Sequence, residues 1–433
     1  MNSQSSINKV LKNAGVLLSG SMGANIFGML SLAIFTHSQG VVVFGYYVLF
    51  LTFIEIIDRV FNFQTWQAFI KFATDFQVKN EQQNVLMLLK YSFLVDLISL
   101  IVATIVAFVL SSTLLDFFNI PSEYYNLLLL MSLTILFKTT EISTGVFRLF
   151  DRFKVQAKIA VYSSAIKFVM FSIIALLSPT FEMFVYATVL SQFITMMMKY
   201  FYSKLVLNEH NITVLEILKK KVNITLLKEL RIFSFIVYNN FDVAVRMVSR
   251  QLDVVLLGKL YGAEIVGIYK IAKEIANLIA KLTDPVYQSI YPEFAKMLAK
   301  GKKLEAREMA KKISLYAGGV GLVFYGFFAL LGEWTISLVF GNEFMGAYDI
   351  TMVYFLAILI AIVNLPLVPV LHSNGLAKES FLNQLYATIG YCLVIYPLIS
   401  LYSVIGASLA YIIFYVIWMV FAISTIKKNK VFM

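Results

Sequence analysis

Twelve predominantly apolar stretches follow one another along the chain, at about 14–36, 42–66, 86–111, 124–148, 156–178, 182–203, 232–258, 263–288, 309–332, 347–371, 380–400 and 404–426. About 20 helical residues cross a hydrocarbon core of roughly 30 Å. Each stretch is long enough, so the pattern predicts an all-α membrane protein with twelve transmembrane helices. The chain is 60% hydrophobic and 14% charged; a soluble domain has roughly 45–50% and 25%. A single cysteine, Cys392, excludes a disulfide framework and a cysteine metal site. His37, His210 and His372 are scattered between segments, so no metal site and no bound cofactor are expected. The polar start, MNSQSSINKVLKNAG, runs into a long first span and shows no cleavable signal peptide.

Charge placement predicts the orientation. Twenty-six of the 36 Lys and Arg residues fall on alternate loops and near both ends of the chain, with clusters at Lys219, Lys220 and Lys221 and from Lys296 to Lys312. The opposite loops carry Lys259 and the acids Asp116, Glu123, Glu182, Glu333 and Glu343. The positive-inside rule then puts both termini in the cytoplasm. It also accounts for the net charge of +11 without nucleic acid.

Four charges lie within the seventh span: Asp242, Arg246, Arg250 and Asp253. At helical spacing they share an arc of roughly 80°. The eighth span carries Lys270, Lys273, Glu274, Asn277, Lys281, Asp284 and Gln288 on one face. The second carries Glu55, Asp58, Arg59 and Asn62. Asp96, Lys138, Glu141 and Lys167 add to these, which makes eight interior cations and eight interior acids. Pairing along one helix is expected for Glu55–Arg59, Lys138–Glu141, Asp242–Arg246, Arg250–Asp253, Lys270–Glu274 and Lys281–Asp284. Such pairs return a few tenths of a kcal/mol, against about 2 kcal/mol or more for each charge placed in lipid. As a set the charges require a hydrated cavity. Arginine binds phosphate through a planar fork and lysine as a point charge, so two arginines one turn apart suit a pyrophosphate. The acids Asp242, Asp253, Glu55, Glu274 and Asp96 would orient the cations; Asp96 or Glu55 could also take Na+ or a proton for coupling to a gradient.

An internal repeat runs through the chain at an offset of 222 residues. Gly40 matches Gly262, Val43-Phe44-Gly45-Tyr46-Tyr47 matches Ile265-Val266-Gly267-Ile268-Tyr269, and Phe72-Ala73 matches Phe294-Ala295. Six helices per repeat preserve orientation, so the repeat is parallel. The expected organisation is an N-terminal six-helix lobe over 1–205, a linker over 206–231 and a C-terminal six-helix lobe over 232–433, around a central hydrophilic cavity. In the linker, Ile212, Leu215, Ile217 and Leu218 oppose Lys219, Lys220 and Lys221. This segment reads either as a basic amphipathic helix on the membrane surface or as a solvated connection. In the first span Gly20, Ala24 and Gly28 form a small-xxx-small stripe for close helix packing.

The stretch DVVLLGKLYGAEIVGIYKIAKEI, from Asp253, resembles bacterial polysaccharide exporters and O-antigen-unit flippases. The similar features are Asp253, the run Leu256-Leu257-Gly258, a short turn, and the entry Val266-Gly267-Ile268-Tyr269. Gly145-Val146-Phe147-Arg148 with Arg152-Phe153-Lys154, and His372-Ser373-Asn374-Gly375, are similar too. That family belongs to the multidrug/oligosaccharidyl-lipid/polysaccharide exporter superfamily. The resemblance implies two six-helix lobes working by alternating access. It implies transfer of an undecaprenyl-pyrophosphate-linked oligosaccharide from the cytoplasmic to the outer leaflet of the bacterial inner membrane. The pyrophosphate would meet Arg246, Arg250 and Lys273, with Arg59, Lys138 and Lys281 next. The implied partners are this lipid-linked substrate, membrane lipid, and a glycan polymerase or other polysaccharide assembly proteins.

Two departures narrow the choice. Lipid II flippases resemble this chain but usually have two further helices. Multidrug extruders often carry an acid in the first helix, and here that span has none. A cation-coupled multidrug or small-molecule exporter is the alternative. A membrane enzyme is not expected, because the short outer loops carry no catalytic constellation.

Overall fold

A computed structural model describes residues 3–282, 290, 293–298 and 300–432. Every regular element among them is helical. Eight helical runs among the described residues are long and apolar enough to cross a membrane. Two of these contain a one-residue break, Gly15–Val78 at Gly40 (φ 72°), with a further interruption after Phe61, and Ala377–Lys428 at Ser403 (φ 53°). Ile232–Leu282 is likewise broken, at Gly262 (φ 84°); its charges keep it out of the eight. Counting both arms of each broken helix, these segments account for the twelve expected spans, and the protein is a multi-pass membrane protein.

The chain forms two compact units. One comprises residues 19–39 and 49–247; the other comprises 1–18, 40–48 and 248–433. The 222-residue offset holds across the helices. Gln82–Phe118 maps onto 304–340, beside the observed Lys303–Phe340. Asn119, which ends the first of these helices at φ 52°, maps onto Gly341 at φ 99°. Gly40 and Gly262, the repeat-matched pair, are the two glycine breaks. The left-handed region is nearly closed to other residues, so each glycine lets a helix stop and restart without a loop.

The restarted helices meet immediately. A Cβ on Gly45 would stand 1.8 Å from the Ala263 carbonyl oxygen, and one on Gly267 would stand 2.7 Å from the Val41 carbonyl oxygen. Exchanging each residue for its mate at the 222-residue offset (Gly45 for Gly267, Ala263 for Val41) turns the first contact into the second, so the contact is reciprocal. Glu343 secures one start, since the Val41 N–H donates to its Oε2 at 2.9 Å. A carboxylate is favoured at a helix N-terminus by the free N–H groups and the dipole.

In the other unit Gly20 packs on Ala157, whose Cβ would lie 2.6 Å from an added Cβ. Gly23 faces Val161, whereas Gly28 opens onto free space. The close approach therefore uses Gly20 and Gly23 rather than the whole expected stripe. The second span ends earlier than expected, at Phe61, and a separate helix covers Trp66–Val78. The fourth span contains an eight-residue 3-10 stretch, Leu133–Thr140. Such runs are uncommon because the hydrogen-bond geometry is poorer. The tenth divides into Ala347–Val363 and Leu367–Ser373, since the Pro366 ring disfavours a helical conformation at Leu365.

The linker forms a six-residue helix, Val214–Lys219, with a capping box between Thr213 and Glu216. Leu215 and Leu218 are exposed, while Ile212 is buried and Ile217 packs on the core. Lys90 closes its C-terminal end, donating to the Leu218 carbonyl at 2.6 Å and the Lys220 carbonyl at 2.9 Å.

The reciprocal contact leaves no room for a side chain, and the nearest atoms are backbone. Gly45→Val or Gly267→Val should each destabilise the purified protein by about 3 kcal/mol or more, beyond ordinary overpacking. Thermal unfolding in detergent checks this, with Gly319→Val as a control because no atom lies within 4 Å of a Cβ there.

Candidate functional site

Asp253 is fully buried near the end of the first arm of Ile232–Leu282. Its Oδ1 accepts from the Val254 N–H at 2.8 Å. Its Oδ2 accepts from Lys273 Nζ at 2.6 Å and from the Tyr269 hydroxyl at 2.7 Å. Lys273 is buried as well, and donates to the Arg250 carbonyl at 2.6 Å. Its ammonium also lies 5.4 Å from the Tyr411 ring centre. Tyr411 in turn donates to the Ser249 carbonyl. Tyr354 and Tyr391 pack on Tyr411 with ring centres 5.0 and 5.2 Å away. An isolated buried charge costs several kcal/mol. Here the carboxylate and ammonium neutralise one another, and the hydroxyl and carbonyl meet their remaining hydrogen-bonding capacity.

This cluster corrects one expectation. Asp253 does not pair with Arg250 three residues back on its own helix. Lys273 reaches it from the second arm instead, across the Gly262 break. Arg250 is exposed and forms no ion pair among the described residues.

The second cluster surrounds the break between Phe61 and Trp66. Lys138 Nζ donates to Asp58 Oδ2 at 2.6 Å. The other Asp58 oxygen accepts from Asn62 Nδ2 at 3.1 Å, and Asn62 Oδ1 accepts from the Gln64 N–H at 3.2 Å. Thr65 starts the next helix. Its N–H donates to Asp96 Oδ1 at 3.1 Å and its hydroxyl to the Ser92 carbonyl at 3.3 Å. Asp96 is fully buried, and its Oδ2 has no hydrogen-bond partner among the described residues. The expected Lys138–Glu141 pair is therefore replaced by Lys138–Asp58, between two helices. Arg148 lies over the Trp66 ring at 4.3 Å and anchors the start of the short helix.

The remaining candidates lie nearer the surface. Arg246 Nε donates to Asp242 Oδ2 at 3.0 Å, and this pair is well exposed. Lys270 and Glu274 pair at 2.9 Å, also as expected. Glu55, Arg59 and Lys281 are half-buried. Asp284 and Gln288 lie outside the described residues. Lys167 stands 5.0 Å from the Phe171 ring. The residues that sequence reasoning missed are Thr65, Tyr269 as a ligand of Asp253, and Tyr411. The available signal was the polar set Asn62, Gln64 and Thr65 within an apolar stretch, partly concealed by Phe61 and Phe63.

A family model described as polysaccharide biosynthesis protein matches residues 41–349. The chain belongs to this family. A relative is the inner membrane protein YghQ of Escherichia coli strain K12, 23% identical over 348 residues, which cover 79% of this chain and 95% of YghQ. Two solved structures share the fold. The lipid II flippase MurJ, in an inward closed conformation, superposes with a TM-score of 0.72 at 13% identity, covering 95% of this chain and 87% of MurJ. An inward-facing multidrug resistance MATE family transporter of the MOP superfamily also reaches 0.72, at 14% identity, covering 96% and 97%. Both solved structures are of transport proteins, not enzymes. This member of the polysaccharide biosynthesis family therefore shares its fold with both solved structures, and its paired buried charges lie within that fold.

Removing one partner of a buried pair strands the other. Lys273→Met should destabilise the protein by about 3–5 kcal/mol. Asp253→Asn combined with Lys273→Met should recover much of that loss. Denaturation of the two variants side by side in detergent checks the coupling.

Proposed function

We propose that this protein is a flippase that moves an undecaprenyl-pyrophosphate-linked oligosaccharide, an O-antigen or other surface-polysaccharide repeat unit, from the cytoplasmic to the outer leaflet by alternating access. The observation that carries this reading is that a chain of the polysaccharide biosynthesis family exposes Arg246 and Arg250 one turn apart on a membrane-length helix. Exposed charges at such positions face water rather than lipid. Two guanidinium groups at this spacing match the two phosphates of a pyrophosphate. A lipid-carried cargo also fits a fold shared with a lipid II flippase.

Lys273 serves this site by position, since its ammonium binds Asp253 and the carbonyl of Arg250 itself. Arg59, Lys138 and Lys281 would meet the cargo along its path. We place the protein in the bacterial inner membrane with both termini cytoplasmic. The loop charge asymmetry and the inner membrane relative YghQ support this. A glycan polymerase or another assembly protein would receive the flipped unit.

The reading is tested in cells lacking the gene, which should accumulate the lipid-linked unit on the inner leaflet. Arg246→Ala with Arg250→Ala should lower transfer roughly tenfold, the loss of about 1.4 kcal/mol, with insertion unchanged. Full transfer by that variant would remove the arginines from the mechanism. The MATE likeness keeps a cation-coupled drug exporter as the second reading, and the drug-susceptibility profile of the deletion strain separates the two.

Gradient coupling is assigned to Asp96. It is fully buried, anchored through one oxygen to Thr65, and its second oxygen has no partner among the described residues. A proton or Na+ taken up there would alter the charge at the start of the Trp66–Val78 helix. Asp96→Asn retains an acceptor for the Thr65 N–H, so the protein should fold normally. Its transfer rate in proteoliposomes should no longer respond to an imposed pH or Na+ gradient. A gradient response equal to wild type would place coupling elsewhere.

A further inference from the structure

The 222-residue repeat allows two grooves of one chain to be compared. The first, about 250 Å³, lies among the helices of residues 82–149 and 181–209, against the linker helix. The second, about 850 Å³, lies among Lys303–Phe340, the helices of residues 347–373, and Ala377–Lys428. They are repeat-equivalent. Leu89, Phe93 and Lys204 of the first correspond to Lys311, Leu315 and Ile426 of the second.

The grooves differ in what closes them. In the first, Val214, Ile217 and Leu218 of the linker helix form one wall. Lys90 fixes that segment by donating to two of its carbonyls. In the second, four cations stand at the rim: Arg307, Lys311, Lys427 and Lys430. All four are exposed, and none is ion-paired among the described residues. Their repeat mates Val85, Leu89, Leu205 and Asn208 are all uncharged; the first groove carries Lys90 and Lys204 instead, with Lys90 committed to the linker carbonyls. Beyond the rim the lining is apolar, and Gly318 and Gly319 lower one wall.

A ligand for this groove must present an anion at the rim and a hydrocarbon chain along the trough. We infer that the second groove binds an anionic phospholipid, its phosphate held by Arg307, Lys311, Lys427 and Lys430 and an acyl chain lying over Gly319. Basic pockets between membrane helices recognise anionic headgroups in this way. The inference stands independently of the cargo proposed above.

The test uses the full-length protein in mild detergent, incubated with phosphatidylglycerol or phosphatidylcholine, with retained lipid counted by native mass spectrometry. Wild type should retain phosphatidylglycerol in preference. The combined variant Arg307→Gln, Lys311→Gln, Lys427→Gln and Lys430→Gln should lose roughly tenfold or more of it, each cation near a lipid surface being worth about 1 kcal/mol. Gly319→Leu should lose it too with no change in charge, because a Cβ there meets no atom within 4 Å and the side chain enters the groove. Lys219→Gln with Lys221→Gln, on the linker, should retain it. Equal retention of phosphatidylcholine by wild type would overturn the inference. So would undiminished phosphatidylglycerol in both groove variants, or its displacement by undecaprenyl phosphate at lower concentration.

Discussion

Gly45 and Gly267 let two helices begin with their backbones in contact, and the buried chemistry downstream depends on that approach. Tyr269 is two residues beyond Gly267 and Lys273 six, so the contact sets the depth and rotation at which both meet Asp253. A displacement of the helix by one methyl group would move the ammonium and the hydroxyl away from a carboxylate held at 2.6 and 2.7 Å. The glycines just upstream, Gly40 and Gly262, are part of the same device. They break the helix at a single residue, so there is no loop whose slack could absorb a misplacement. Because the contact maps onto itself through the 222-residue offset, one geometric requirement acts on both repeats.

The charged residues divide by the direction of their pairing. Asp242–Arg246 and Lys270–Glu274 pair along one helix and remain partly solvated. Asp253–Lys273 and Asp58–Lys138 pair between helical segments, and both carboxylates are buried. The difference follows from desolvation. A pair along one helix leaves both groups on that helix's own surface, where water supplies the remaining hydrogen bonds at small cost. Burial withdraws that water, and the extra donors and acceptors must come from a second element. Tyr269 and the Arg250 carbonyl do this for Asp253 and Lys273; Asp58 takes Lys138 from a second element and adds Asn62 from just past the end of its own helix.

The twelve spans and their repeat were legible in the sequence because both rest on patterns of apolar residues and glycines, which need no tertiary information. Gly40 and Gly262 were visible as a matched pair, and each proved to be a break. The helix Trp66–Val78 was not legible, because Phe61 and Phe63 carry the apolar pattern through the interruption and conceal it. The partners of Lys138 and Asp253 were not legible either. Sequence spacing ranks neighbours along a helix, whereas Asp58 lies 80 residues before Lys138 and Lys273 lies 20 after Asp253. The division of the tenth span was readable in principle from Pro366, whose effect on the preceding residue is local.

Asp96 and Asp253, both fully buried, are compensated in different ways, and the difference bears on which of them can exchange an ion. Asp253 has an ammonium tethered to the chain, a tyrosine hydroxyl and its neighbour's N–H, so both oxygens are committed. An incoming cation there would have to displace Lys273, stranding a second charge. Asp96 has one backbone N–H, at the start of the Trp66–Val78 helix, and an oxygen with nothing bound to it among the described residues. The helix N-terminus offsets only a fraction of a unit charge. The carboxylate therefore gains most from a mobile positive charge, and taking one up would leave no other ion without its partner. By this argument the Asp253 cluster acts as a permanent joint, whereas Asp96 has the free valence that the proposed gradient coupling requires.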